Sequence, residues 1–132
     1  MIETVRIVLR ALLALFFVMA GYNHFRDPGF YLRIIPPQLP APELLNWISG
    51  LAEILGGVGV LLPPVRRLAG WGLIALLIAV FPANIYSAVA GINPVSPGGP
   101  TWVLWLRLPF QLLFCGWVYW TCVSRPLLAR DS

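Results

Sequence analysis

The sequence predicts an all-α polytopic membrane protein, an antiparallel bundle of four transmembrane helices, on three observations. Hydrophobic residues make up 59% of the 132-residue chain and charged ones only 11%, with a mean hydropathy of +0.82, far outside the range of soluble domains. Four apolar runs, at 5–25, 44–62, 68–90 and 101–123, each approach the roughly 20 residues that a helix needs to cross a bilayer. All nine basic residues are arginines, and most sit singly or in pairs at the ends of those runs. Four spans with short connections nearly exhaust the chain, so residues 1–132 form one membrane domain with no room for a separate soluble catalytic unit.

The first run follows Arg6 and Arg10 and ends in Gly21-Tyr22-Asn23-His24-Phe25. Its basic start and apolar core also fit a signal peptide, but three further spans favour a retained first helix. Residues 26–42 contain five prolines. Proline lacks the backbone donor and disfavours helix in the residue before it, so IIPPQLPAP is expected to be extended or turned, with Phe30 and Tyr31 at headgroup level. The second run stops at Pro63-Pro64, and Arg66 and Arg67 mark the membrane surface. The third carries Pro82 and Asn84 in FPANIY, GINPVSPGGP forms an uncharged loop, and the fourth run closes at Ser124-Arg125-Pro126.

Arginine distribution sets the orientation. With the N-terminus inside, the cytoplasmic side holds Arg6, Arg10, Arg66, Arg67, Arg125 and Arg130, against Arg26 and Arg33 outside. Both termini are thus expected in the cytoplasm. Arg107 falls within the fourth span and counts for neither side.

On that topology the polar residues of all four helices meet in the outer half of the bilayer. His24 ends the first helix, Glu53 lies about ten residues into the second, Asn84 about six from the end of the third, and Arg107 and Gln111 in the outer half of the fourth. An ionisable side chain in hydrocarbon costs several kcal/mol unless it faces the bundle interior and finds a partner. Periodicity supports a shared interior: Asn46, Ser49, Glu53 and Gly56 or Gly57 form one stripe, and Arg107, Gln111 and Cys115 another. The candidate ligand-binding or polar-core residues are therefore His24, Glu53, Asn84, Arg107 and Gln111, with Asn23 and Ser49 beside them. Glu53 and Arg107, the two opposite charges inside the membrane, are expected to pair.

Other chemistries lack the residues they need. One histidine and two separated thiols do not make a tetrahedral zinc set, and no serine accompanies His24 with an aspartate for a nucleophilic triad. Cys115 and Cys122 lie seven residues apart on one helix, about 10.5 Å of rise, too far for a disulfide. The scattered arginines form no basic face for nucleic acid.

The stretches AGYNHF from Ala20, Tyr31 with IIPP and LP, SGLAEILGGVGVLLP from Ser49, RRLAGWGLIALLIAVFPANI from Arg66 and RLPFQ from Arg107 resemble the DoxX-like family of small membrane proteins. The resemblance implies a four-helix bundle in the bacterial inner (plasma) membrane, among relatives that include a subunit of a thiosulfate:quinone oxidoreductase, partners of membrane redox systems and proteins similar to assembly factors. It implies an accessory subunit with an outer-half cleft for a small apolar, quinone-like ligand, without catalytic activity of its own. His24 and Glu53 would exchange protons with the ring, Arg107 would stabilise an anionic form, and a separate redox partner protein would supply electrons. There is no Cys-x-x-Cys for thiol exchange. Two alternatives stay open: a non-enzymatic assembly or interaction factor whose polar core only specifies the bundle, and a small-anion carrier, which at this size would need to oligomerise.

Overall fold

The computed structural model describes residues 1–94, 96 and 98–124, and all regular structure among them is helical. Helix α1 covers Ile2–Arg26, α2 Pro28–Leu32, α3 Pro42–Gly59, α4 Arg66–Ala90 and α5 Trp102–Val118, and a π-helical segment, Tyr119–Val123, continues α5. Two of these helices, α1 and α4, each of 25 residues, are long and apolar enough to cross a membrane. Arg125 and Arg130 lie outside the described residues.

Helix α1 packs on α3, α3 on α4, α4 on α5, and the π segment returns to α1, so the four long helices close a ring. Every neighbouring pair is antiparallel. The end of α1 meets the start of α3 where His24 bonds Asn46, Gly59 of α3 faces Ala69 of α4, and Gly70 faces Cys122. The tightest seam is between α1 and α3. A Cβ placed on Gly21 would lie 2.6 Å from the Gly50 carbonyl oxygen, and one on Gly50 would lie 2.7 Å from the His24 Cβ. Any larger side chain would force these backbones apart.

Helix ends follow local chemistry. Helix α4 stops at Gly91, whose φ of 69° is the left-handed conformation that glycine adopts without cost. The Ile92 amide then reaches the Ser87 carbonyl at 2.9 Å and the Gly91 amide that of Ala88, the Schellman arrangement. Pro82 and Pro109 lie inside α4 and α5. In the connection 26–42 the IIPPQLPAP stretch is turned up to Pro42, as expected, and before it Pro28–Leu32 forms one turn and a half of helix. Pro28 occupies its first position, where the missing amide costs nothing and the fixed φ suits a helix.

The core, Leu13, Ala14, Phe17, Val60, Leu73, Val118 and Cys122, lies at mid-bundle. Above it, towards the ends of α1 and α4, is a cavity. Below it, towards the start of α1 and α4, is a basic cleft. The outer faces are apolar: Leu68 is 74% exposed and Val89 69%, with Leu55, Ile78, Leu112 and Leu113 similarly bare.

Candidate functional site: a polar-ended apolar cavity

The upper cavity has a volume of about 330 Å³, at the small end of the range of about 300–1,000 Å³ for ligand pockets. Six aromatic rings, those of Phe16, Phe17, Phe30, Tyr31, Phe110 and Phe114, line it together with aliphatic side chains. Phe16 and Phe114 stack across α1 and α5 with centroids 4.9 Å apart and close that side. Helix α2, with Tyr31, and the following Ile34 and Ile35 cover the top.

Polar groups enter from two opposite helix pairs. On the α1/α3 side, the buried Asn46 clamps His24: its Nδ2 donates to the His24 carbonyl at 2.9 Å, and its Oδ1 faces Nδ1 at 2.7 Å. A carbonyl oxygen only accepts, so Nδ1 carries the hydrogen and Nε2 is turned towards Glu53. Glu53 Oε2 lies 3.2 Å from Nε2, out of line for a hydrogen bond, and this buried oxygen has no hydrogen-bond partner among the described residues. The Tyr31 ring stacks on the imidazole at 3.5 Å, and its hydroxyl donates to the Ala20 carbonyl and accepts from Asn23. Burial pushes the Tyr31 phenol above its ordinary value.

On the α4/α5 side the donors run in one direction. Arg107 Nη2 donates to Asn84 Oδ1 at 3.4 Å, Asn84 Nδ2 to Gln111 Oε1 at 2.5 Å, and Gln111 Nε2 to the Leu77 carbonyl at 2.5 Å. Proline 82 leaves the adjacent Ile78 carbonyl without its usual amide, and Gln111 bonds the neighbouring one. Of the five N–H donors of Arg107, this network uses one.

Five of the residues singled out in the sequence, His24, Glu53, Asn84, Arg107 and Gln111, therefore line one cavity. Asn23 stands outside it, holding Tyr31, and Ser49 is half-buried on α3 away from it. The expected Glu53–Arg107 pair does not form. Glu53 is next to His24 because α1 and α3 touch along the glycine seam, whereas Arg107 sits across the cavity and turns to Asn84 on its own neighbour. Asn46 and Tyr31 are the partners that the sequence underweighted. Asn46 lay on the Asn46–Ser49–Glu53 stripe, but no periodicity announces the stacking of Tyr31. Cys115 and Cys122 are free thiols, and among the described residues no three His, Cys, Asp or Glu side chains converge as a metal site would require.

A family model described as a domain of unknown function, DUF8561, matches residues 13–122. The chain belongs to the DUF8561 family. No curated protein and no solved structure matches it. The DUF8561 match takes in every cavity residue from Phe16 to Phe114, both sides of the glycine seam and the core, whereas Arg6 and Arg10 precede it.

Proposed function

We propose that this DUF8561 protein is a four-span membrane protein that binds a small, largely apolar ring compound of quinone type in the upper cavity, as an accessory subunit of a membrane redox system. Membrane placement is supported by the apolar outer faces, since large bare leucines and isoleucines on all sides would drive aggregation in water. Helix α5 with its π segment runs from Trp102 to Val123, and α3 has 18 residues, long enough to cross a core of about 30 Å with modest thinning or snorkelling. The arginine distribution favours both termini in the cytoplasm, with the cavity in the outer half. The likeness of the AGYNHF, SGLAEILGG and RLPFQ stretches to DoxX-like proteins supports the redox association.

The observation that carries the ligand reading is Glu53 Oε2, buried in the wall of a largely apolar cavity with His24 Nε2 at 3.2 Å but no hydrogen bond to a described residue. A buried carboxylate oxygen without a partner costs about 1–3 kcal/mol or more, and a ligand hydroxyl would remove that cost. Across the cavity, the spare donors of Arg107 suit a carbonyl or anionic oxygen. A ring with a hydroxyl at one end and a carbonyl or anionic oxygen at the other satisfies both.

Native mass spectrometry of the protein extracted with its own lipids, wild type against Glu53→Gln, tests this. The expected result is a ring compound bound to the wild type and reduced at least tenfold in the variant, since hydrogen bonds to charged groups contribute about 1.5–3 kcal/mol. No small molecule in either, with a co-purified protein in its place, refutes the ligand reading and favours the assembly-factor one.

A further inference from the structure

Four arginines from two helices meet at the opposite end of the bundle. Arg6 and Arg10 of α1 and Arg66 and Arg67 of α4 line a cleft of about 200 Å³ whose far wall is the π segment, with Thr121 and Ser124. Three of them are held in place by helix-end carbonyls. Arg6 Nε donates to Trp120 O at 3.0 Å and Nη2 to the carbonyl and hydroxyl of Ser124. Arg10 Nε donates to Thr121 O at 2.8 Å, and Arg66 Nε to Val60 O at 2.8 Å. The acceptors lie at the C-terminal ends of α3 and the π segment, so the guanidinium groups are fixed as well as charged. Among the described residues the one carboxylate against them is Glu3, 3.4 Å from Arg6 and itself partly exposed. Arg67 is exposed and bonds no described residue.

Four like charges around one small cleft repel, and a single surface carboxylate does not offset them. An anion would offset them, and the surroundings favour one kind. Leu68, 74% exposed, follows the arginines directly on α4, and Trp71 lies one turn further, half exposed and edge-on to Tyr119 at 5.9 Å. A charged head in the cleft would therefore have its apolar tail running along α4. Basic pockets of this build on the cytoplasmic side of membrane helices suit anionic headgroups, and guanidinium forks match phosphate oxygens better than lysine would.

We propose that this cleft binds the phosphate of an anionic phospholipid headgroup, with the acyl chains along Leu68 and Trp71. The site rests on the membrane placement given above but not on the ligand cavity. Arg67 is its cleanest probe, because its loss breaks no bond to a described residue.

The test is native mass spectrometry of the full chain in neutral detergent, titrated with phosphatidylglycerol or phosphatidylcholine, with inorganic phosphate as competitor. Wild type should retain phosphatidylglycerol over phosphatidylcholine. Arg67→Gln should lower that preference about fivefold, and Arg10→Gln by a similar factor, while Arg67→Lys keeps most of it. Equal retention of the two lipids by wild type overturns the proposal, as does a preference unchanged in both Gln variants. Displacement of the lipid by an equimolar amount of inorganic phosphate would assign the cleft to a soluble anion and overturn the lipid assignment. Flotation of wild type with phosphatidylcholine vesicles reports membrane placement separately.

Discussion

Gly50→Ala sets two opposing effects against each other at the α1/α3 seam. In an exposed helix interior, alanine is favoured over glycine by about 1 kcal/mol, so propensity alone predicts a more stable protein. Geometry predicts the reverse. The new Cβ would stand 2.7 Å from the His24 Cβ and 3.0 Å from the Gly21 carbonyl oxygen, against about 3.5–4.0 Å for a relaxed carbon contact. Backbone cannot fold out of the way as a side-chain tip can, so α1 and α3 must separate locally by up to about 1 Å. That separation stretches both Asn46–His24 hydrogen bonds, now 2.7 and 2.9 Å, past the usual limit of about 3.2 Å. Overpacking at about 1–3 kcal/mol and the two weakened bonds at about 1 kcal/mol each exceed the propensity gain of about 1 kcal/mol. The expected net loss is about 2–4 kcal/mol. Gly72→Ala is the control, since a Cβ there meets nothing within 4 Å, and it should be neutral or stabilising by up to about 1 kcal/mol. Reversible unfolding in mixed micelles followed by far-UV circular dichroism measures both. A Gly50→Ala protein at least as stable as Gly72→Ala would refute the close-seam reasoning.

Three further outcomes are expected. Asn46→Ala removes two buried hydrogen bonds to His24 and should cost about 1–2 kcal/mol in the same unfolding assay; histidine NMR should show the fixed Nδ1–H signal lost. Arg6→Met withdraws the donor that bonds Trp120 and Ser124 from a side chain only 3% exposed, and should destabilise the protein by about 2–3 kcal/mol, with earlier proteolysis near residue 120. The folded-state pKa of Tyr31 lies above the ordinary 10.0 through burial, so its burial is compatible with the neutral phenol below that value and loses stability as pH rises through the shifted one. The phenolate absorbance step that disappears in Tyr31→Phe should therefore lie above pH 10.0.

Depth along each helix was legible in the sequence, and rotation about each helix was not. Counting from the arginine-marked ends put His24, Glu53, Asn84, Arg107 and Gln111 at similar heights because rise per residue is fixed. Which of them touch depends on which helices come closest, and that is decided by Gly21 and Gly50, whose missing side chains bring His24 and Glu53 together. Pairing by formal charge picked Arg107 for Glu53 and passed over His24, whose Nε2 lies 3.2 Å from Glu53 Oε2. The short helix α2 was hidden in a proline-rich connection, although Pro28 at the first helical position is a start signal. The shift of α5 into a π segment at Tyr119 has no signature in the residues, and the bonds of its Trp120 and Thr121 carbonyls to Arg6 and Arg10 are contacts more than 100 residues apart in the chain.

The glycine seam and the aromatic cavity use different residues of the same four helices, with consequences for how such a protein can diversify. The α1/α3 contact fixes the scaffold through positions that admit almost no replacement, while Phe16, Phe30, Phe110 and Phe114 line the cavity without joining that contact. A combinatorial library over those four phenylalanines should thus be rich in folded members that differ in what they accommodate, whereas one over Gly21 and Gly50 should be nearly sterile. One bundle could in this way serve many ligands, with heritable change confined to the walls of its cavity.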